Sequence, residues 1–323
     1  MPVQYYYTPV GYFEHGEKLN DLYATLPGDF APFRRVAVPA PPKDAVAPDG
    51  TYREYRKDDW GTVWEYRIFG IAGIPSEYPV PTLDDAAAYV PPARPPVDIA
   101  ALRAETEKHQ RTHYKLNHAG TLLERLRSLL PDEEVLCALA TRDERLGLLA
   151  DRIIAHHGWD VQVAVDTGAD GMAFGDDYGT ERGMIMHPDM WRAFFKPRLA
   201  RLFAPAVQAG LDIVFHSCGQ VMPILPDLRE IGVTAIWPQL PAYDMRTLAD
   251  TCRGLGLAVA VHTDRANAMT FGTPADVRAL VRREYSIFRM DEGGSWFYIE
   301  ADNGFPFDNL RALVDSVREL RGG

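Results

Sequence analysis

The sequence predicts an α/β fold, a (β/α)8 TIM barrel with long proline-rich insertions in its N-terminal part. From residue 171 onward, five units repeat, each with a short apolar run, a polar tip and a helical stretch. Such units require a parallel sheet covered by helices. Three earlier strand-like runs, at 3–7, 62–67 and 112–118, bring the number of predicted strands to eight. Because about 300 residues suit one such barrel, we expect residues 1–323 to form a single domain.

The composition is that of an ordinary globular protein and excludes several classes of function. The 323 residues carry a formal net charge of −11, which argues against a nucleic-acid partner or an anionic membrane surface. The sequence has no apolar window long enough for a transmembrane helix and no signal peptide at its start. Three cysteines, an odd and small number for this length, indicate reduced thiols and a cytoplasmic protein.

The N-terminal third combines one clear strand with two proline-rich segments. The aromatic run 3–7 predicts the first strand, and 17–26 predicts a short helix. Two alternating runs on either side of 58–61 indicate a hairpin or the second barrel strand. The segment from Pro39 to Pro96 is rich in proline and in aromatic residues of the kind enriched at interfaces, and we expect it to cover part of the barrel mouth and to support a homodimer. Its aromatic residues are Tyr52, Tyr55, Trp60, Trp64 and Tyr66.

The remaining elements follow in order. Helices are predicted at 99–110, 122–130 and 133–157, the last ended by Gly158, with 161–167 continuing as helix or turn. Later strands are predicted at 171–174, 213–216, 235–237, 258–261 and 296–299. The helices that follow them are predicted at 188–208, 223–230, 245–253, 273–288 and 309–320.

Polar residues stand where the predicted strands end. In a barrel these ends meet at one mouth, which is where the chemistry of such folds takes place, so the residues are expected to converge. They are His118, Asp176, Asp177, His216, Cys218, Gln239, His262, Asp264, Glu300 and Asp302. A single polar residue at such a position often only caps a helix or a turn, but a converging set of this size indicates a functional site.

His216 and Cys218 form the strongest pair in this set. They are two residues apart on a predicted strand and therefore point to the same side. An imidazole and a thiol together are suited to zinc. The alternative is a packed histidine beside an inert thiol. The other two cysteines, Cys137 and Cys252, lie in helical patterns and are expected to be inert, and the pair 156–157 at the predicted helix end is expected to be structural.

An ordered set of motifs resembles the uroporphyrinogen decarboxylase superfamily. The motifs are Gly175-Asp176-Asp177-Tyr178-Gly179-Thr180, His187-Pro188-Asp189-Met190-Trp191-Arg192, His216-Ser217-Cys218-Gly219, Phe271-Gly272-Thr273-Pro274 and Pro306-Phe307-Asp308-Asn309. True uroporphyrinogen decarboxylases begin with an arginine-rich segment that binds substrate carboxylates, and the first strand here has no arginine. The chain therefore resembles the branch of zinc-dependent methyltransferases that pass methyl groups to or from a corrinoid protein.

The resemblance implies a site and a reaction. His216 and Cys218 would be two zinc ligands. The last strand has no cysteine for the third position, so we expect Glu300 there, with its ligand atom within about 6 Å of the other two. Asp177 or His118 would handle the proton of the leaving group, with Gln239 and His262 completing the catalytic set.

The expected partners are a small methylated compound and a corrinoid protein, or a thiol acceptor. Two other functions stay open at this point. One is a metal-independent decarboxylase or lyase acting on a small acid, and the other is a non-catalytic ligand-binding barrel.

Overall fold

A computed structural model describes residues 1–265 and 267–322. It contains twelve strands, which are β1 (Val3–Tyr5), β2 (Glu54–Lys57), β3 (Val63–Tyr66), β4 (Ile74–Glu77), β5 (Leu116–His118), β6 (Gly171–Gly175), β7 (Gly179–Thr180), β8 (Gly183–Met184), β9 (Asp212–Ser217), β10 (Ala235–Pro238), β11 (Ala258–His262) and β12 (Ser295–Ile299). The helices are α1 (Pro9–His15), α2 (Glu17–Tyr23), α3 (Ile99–Gln110), α4 (Leu123–Leu129), α5 (Asp132–Thr141), α6 (Glu144–Thr167), α7 (Pro188–Gln208), α8 (Leu225–Glu230), α9 (Met245–Leu255), α10 (Ala268–Phe271), α11 (Pro274–Ile287) and α12 (Phe307–Gly322).

Seven strands form one curled parallel sheet, which confirms a TIM-barrel-like fold. Their order is β1-β12-β11-β10-β9-β6-β5, and every neighbouring pair is parallel. From β6 onward, each strand of this sheet is followed by one or more helices that cover its outer face. Parallel strands that are buried on both faces have nearly continuous apolar sequences. The five later strands and the helices that follow them could therefore be predicted in the right order.

The run 62–67, predicted as a hairpin or as the second barrel strand, is the hairpin, and its prediction as a barrel strand is wrong. Most of it forms β3, which pairs antiparallel with β2 and β4 in a separate three-stranded sheet. The hairpin turn is set locally, because Asp58 accepts the N–H of Thr62 through its side chain and donates its own N–H to the Thr62 carbonyl. A hairpin closes a far shorter loop than a distant parallel pairing, so it costs less chain entropy.

The barrel is therefore not closed by hydrogen bonds, because no strand in the described residues pairs with both β1 and β5. We call the space between these two edge strands the seam. At one end of the seam a single residue, Asp29, bonds to both sides. Its N–H donates to the Val3 carbonyl (2.8 Å), and its own carbonyl accepts the N–H of Tyr114 (2.8 Å). Its carboxylate also accepts the Val3 N–H at 2.7 Å. One residue thus replaces part of the absent strand.

The proline-rich insertion reaches both sides of the seam. Trp60 lies against α6, with its ring 4.5 Å from the His156 ring, and the guanidinium of Arg125 stacks over it at 4.4 Å. At the other end, Gly70 has a positive φ of 81° and lies so close to the start of α1 that a Cβ there would be 2.3 Å from the Val10 nitrogen. That contact places part of the insertion at the rim of the barrel mouth.

Two predicted helix boundaries are wrong. The stretch 133–157 is two helices, because Arg142 adopts a left-handed conformation (φ 57°) that ends α5 and the Asp143 side chain caps α6. Gly158 does not end a helix but lies inside α6, and 161–167 continues it. The pair 156–157 therefore lies in mid-helix. No helix in the described ranges is both long enough and apolar enough to cross a membrane.

Candidate metal centre and adjoining cavity

Side-chain alternation along β9 places the functional residues. Ile213 and Phe215 face outward and pack into the main apolar core, whereas Val214 belongs to a smaller cluster inside the barrel. His216 comes two residues after Val214, so its side chain also points into the barrel, where it lines an internal cavity. Cys218 comes directly after β9, and its Sγ lies 3.4 Å from His216 Nε2. The predicted pair is therefore brought together.

A backbone carbonyl fixes the tautomer of His216. Its Nδ1 lies 2.8 Å from the carbonyl oxygen of Trp237, and a carbonyl can only accept, so Nδ1 carries the hydrogen. Nε2 is then left with a free lone pair that faces Cys218. Metal-binding histidines are commonly oriented in this way by a partner on the other nitrogen. Burial also lowers the pKa of His216, which keeps the ring neutral as a ligand must be.

Two loops hold Asp177 beside this pair. The Asp177 carboxylate accepts the backbone N–H of Cys218 at 2.8 Å, and the Gly179 N–H donates to the Cys218 carbonyl. The contact requires Gly219, which has a φ of 67° and lies so close that a Cβ would be 2.1 Å from the Gly179 carbonyl carbon. Gln239 secures the same loop, because its Oε1 accepts the Gly219 N–H at 2.7 Å.

Asp177, His216 and Cys218 fit a zinc ion. One ligand atom from each lies within 4.8 Å of the others, and Asp177 Oδ1 is 3.6 Å from His216 Nε2. Tetrahedral zinc with bonds of 2.0–2.3 Å requires nitrogen–sulfur and nitrogen–oxygen separations of about 3.4–3.5 Å. The observed 3.4 and 3.6 Å match these values. Three protein ligands of this kind leave a fourth position open, as in catalytic zinc sites.

The electrostatics of the group also favour a cation. Burial, reinforced by the neighbouring Asp177 carboxylate, raises the pKa of the Cys218 thiol to about 12. Without a metal the sulfur therefore keeps its proton at neutral pH. A divalent cation offsets both causes, because it neutralises the carboxylate and stabilises the thiolate.

Glu300 lies in a different group from the one predicted. Its Oε1 is 3.1 Å from His262 Nε2 and 3.2 Å from Arg265 Nε, and Arg265 also pairs with Asp302. The partners lower the pKa of Glu300 although burial opposes them. In the part of the chain that the structure describes, Asp177 completes the ligand group with His216 and Cys218. Glu300 as a zinc ligand stays a prediction, and its contacts favour Asp177 in that position.

The other predicted residues have separate places. His118 lines the internal cavity. His262 contacts Glu300 and accepts the indole N–H of Trp237 on Nδ1 (3.3 Å). Asp176 is 2% exposed and accepts three backbone N–H groups at the start of α4, from Leu122, Leu123 and Glu124. Asp176 is therefore a helix cap, the bland role that polar residues at strand ends often have.

The internal cavity has a volume of about 160 Å³ and is lined by residues from all seven barrel strands. One wall is aromatic, with the ring centroids of Trp237 and Tyr298 4.1 Å apart and Tyr6 stacked on Tyr298 at 5.9 Å. Four small residues, Ala119, Ala173, Gly175 and Ala260, are also part of the lining. The full lining is Gln4, Tyr6, Leu116, His118, Ala119, Ala173, Phe174, Gly175, Val214, His216, Trp237, Ala260 and Tyr298.

Sequence reasoning missed the aromatic wall and Arg265. The signal for the wall was present, because Tyr298 precedes Glu300 by two residues and Trp237 precedes Gln239 by two, so alternation places each on the side of the predicted site residue. No pattern in the sequence distinguished Arg265, whose role depends on the carboxylates of the neighbouring strand.

Comparison with known proteins gives one family and a shared fold. The family described as uroporphyrinogen decarboxylase (URO-D) matches residues 133–320, which include the whole candidate metal centre. A methyltransferase from Methanosarcina mazei superposes with a TM-score of 0.59 and 19% identity, covering 78% of this chain and 73% of that one.

More distant structures share less. The dihydropteroate synthase from Anaplasma phagocytophilum reaches a TM-score of 0.39 with 11% identity over 64% of this chain and 74% of that one. The 3-keto-D-glucoside 4-epimerase YcjR from E. coli reaches 0.37 with 12% identity over 77% and 97%. No sequence among the curated proteins that were compared matches this chain.

Proposed function

The chain belongs to the uroporphyrinogen decarboxylase family, and from that membership and the site geometry we propose that it is a zinc-dependent methyltransferase or demethylase. It would move a methyl group between a small methylated compound and a corrinoid or thiol acceptor. The observation that carries the proposal is the ligand group Asp177, His216 and Cys218 beside an internal cavity. The similarity in fold to a methyltransferase from Methanosarcina mazei supports it.

Each residue has a defined part in this proposal. Asp177, His216 and Cys218 would hold the zinc, which when bound supplies Lewis-acid activation of a donor heteroatom or of a thiol acceptor. Methyl transfer breaks the bond between the methyl carbon and the donor heteroatom and forms one from that carbon to the acceptor. The heteroatom keeps the electron pair and takes up a proton. His118 lines the cavity and has an imidazole suited to holding that proton.

A corrinoid-carrying protein would dock over the barrel mouth. Exposed aromatic side chains stand on the loops and helices that follow β1 and β11, and such side chains are typical of protein interfaces. They include Tyr7, Phe13 and Phe271, the last of which is 83% exposed.

Decarboxylation of a porphyrinogen with several carboxylates is disfavoured by the same cavity. Its lining contains neither lysine nor arginine, whereas several buried carboxylates need cationic partners. A metal-independent lyase acting on a small acid is the competing function, and it predicts activity that survives chelation.

Metal analysis and methyl transfer together test the proposal. We expect wild-type protein loaded with zinc and then desalted to retain about one zinc per chain, and His216→Ala and Cys218→Ser to retain little. Cys137→Ser is the matched control, because that thiol is exposed and remote in sequence from the site. Transfer from candidate methyl donors to reduced cobalamin, followed by absorbance, should stop on chelation and return with zinc. Equal zinc in His216→Ala, or activity indifferent to chelation, contradicts the proposal.

A further inference from the structure

A second cavity lies on the outer face of β5. Its walls come from the segment that follows Asp29, from α3 and the turn after it, from β5 and from α6. Asn117 of β5 is part of this lining, whereas its neighbours Leu116 and His118 line the internal cavity. Successive side chains of a strand point to opposite faces, so β5 separates the two cavities.

The outer cavity is positively charged, although the protein as a whole is acidic. Arg34, Lys108 and Lys115 line it, and Glu105 is the one carboxylate of the lining. Three cations and one carboxylate give the lining a net charge of +2 with its histidines neutral, whereas the whole chain carries −11. A recess of one charge sign attracts small ions of the opposite sign.

The cations of the lining have no carboxylate partners. Among the residues that the structure describes, none of Arg34, Lys108 and Lys115 forms an ion pair, and neither does Glu105. An exposed lysine is often simply solvated, but Lys115 is half-buried at the start of β5. A half-buried ammonium group without a counter-ion leaves a charge that a bound anion would neutralise.

His109 fixes the two chain segments that carry Arg34 and Lys115. Its Nε2 lies 2.9 Å from the Phe30 carbonyl oxygen and 3.2 Å from the Tyr114 carbonyl oxygen, and carbonyls only accept, so Nε2 donates to both. The rings of Phe30 and Tyr114 are also in contact, with centroids 5.4 Å apart. Phe30 is four residues before Arg34. Tyr114 directly precedes Lys115, so both cations are carried by segments that are held against α3.

We infer that the outer cavity binds a small anion that carries a phosphate or carboxylate group. Guanidinium and ammonium groups form charge-assisted hydrogen bonds to such groups, and these are stronger than bonds between neutral partners. Asn117 adds a neutral donor, because its half-buried amide makes no side-chain hydrogen bond to a described residue. The inference goes beyond the proposed function, since the outer cavity shares no lining residue with the internal cavity or the metal centre.

Titration calorimetry with inorganic phosphate and with succinate tests the inference. We expect saturable binding of at least one of the two to wild-type protein, with and without zinc, and weaker binding at higher ionic strength. Arg34→Gln and Lys115→Gln should each lower the affinity about tenfold, as expected when one charge-assisted hydrogen bond is lost. Glu105→Gln removes the carboxylate of the lining and should raise the affinity. The anion that binds more tightly identifies which of the two groups the cavity recognises.

Arg35→Gln is the matched control. It removes the same charge from the adjacent residue, whose guanidinium pairs with Glu17 and Asp21 and is not part of the lining. The affinity for the anion should therefore be unchanged. Circular dichroism checks that every variant folds.

Three results would overturn the inference. Absence of saturable binding with both anions would show that the cavity is not a site. Equal weakening by Arg34→Gln and Arg35→Gln would show a solvated basic surface that responds only to net charge. An oligonucleotide that binds more tightly than either small anion would replace the ligand class. All of these variants should retain zinc like wild type, so failure here leaves the proposed function untouched.

Discussion

At the scale of single residues, the site is determined by groups that position one another. The Trp237 carbonyl selects the tautomer of His216, and the Cys218 N–H holds the Asp177 carboxylate in place. Each of these bonds involves a backbone group, so the ligand geometry is built into the chain path before any ion binds. Such preorganisation would keep the ordering cost of metal binding low.

The carboxylate that completes the ligand group can be identified by substitution. We expect Asp177→Asn to lower zinc affinity by at least tenfold, because an amide is neutral and a poorer ligand, as judged by competition with a chromophoric chelator. Glu300→Gln is the matched comparison, since it makes the same chemical change in the neighbouring ion pair, and zinc affinity should be almost unchanged. The reverse pattern would restore Glu300 as the third ligand.

Zinc binding should release protons. The pKa of the Cys218 thiol is raised to about 12 by burial, so the thiol is protonated at pH 7.5 and must lose its proton to bind zinc. We expect about one proton released per zinc, measured by calorimetry in buffers of different ionisation enthalpy, and an affinity that rises with pH. Cys218→Ser provides the comparison and should release fewer protons. No dependence on the buffer would show that the sulfur is not a ligand.

Part of this site could be predicted from the sequence. The pair His216 and Cys218 follows from the two-residue alternation of a strand, which is a local property. Asp177 could be predicted as a residue of the site, but its position within ligand distance of His216 and Cys218 could not, because that position depends on contact between two glycines, Gly179 and Gly219, on different loops. The pairing of Glu300 with Arg265 likewise depends on which strands are neighbours.

At the scale of elements, the positions of helices and strands could be predicted from their periodicity, whereas the choice of pairing partner for a strand could not. The helix predicted at 188–208 has those bounds in the structure, and the five later strands lie within one or two residues of their predicted positions. The run 62–67 has a correct strand pattern but joins a local hairpin instead of the barrel. The alternation of side chains indicates that a segment is an extended strand, but it does not indicate which other strand the segment pairs with.

The cap of α4 should contribute strongly to stability. Asp176 satisfies three backbone N–H groups and the Tyr178 hydroxyl, and its removal leaves buried donors without partners. We expect Asp176→Ala to lower the free energy of unfolding by about 3 kcal/mol or more, measured by urea denaturation. Asp98→Ala is the control, because Asp98 caps α3 at an exposed position through one bond, and about 1 kcal/mol is expected there. Equal losses would show that burial adds nothing to the cap.

At the scale of the whole molecule, one face of the sheet in the insertion carries two large exposed side chains on either side of Glu65, which pairs with Arg53 and Arg67. Tyr55 and Ile74 both pair with Glu65 across the three-stranded sheet, so they lie on one face, and each is 56% exposed. Exposed aromatic and aliphatic side chains of this kind are typical of interfaces between subunits. We therefore propose that this face contributes to a homodimer.

Light scattering at micromolar concentration tests the dimer. Wild-type protein should have twice the mass of one chain, and Ile74→Glu should shift it to the monomer, because a buried unpaired charge is costly. Leu148→Glu introduces the same charge at an equally exposed position on α6 and should leave the mass unchanged. A wild-type monomer at every concentration would refute the dimer.

The seam between β1 and β5 has a consequence for how the protein is made. Strand β1 is synthesised long before β12, its one partner in the sheet among the described residues, so the pairing of Val3 with Phe297 must wait until the segments between them have been translated. An unpaired strand edge invites association with other chains. Asp29 emerges soon after β1 and bonds Val3 on both its N–H and its carbonyl. It therefore covers the seam edge of β1, whereas the opposite edge, where the Pro2 carbonyl accepts the Phe297 N–H, stays open until β12 has been made.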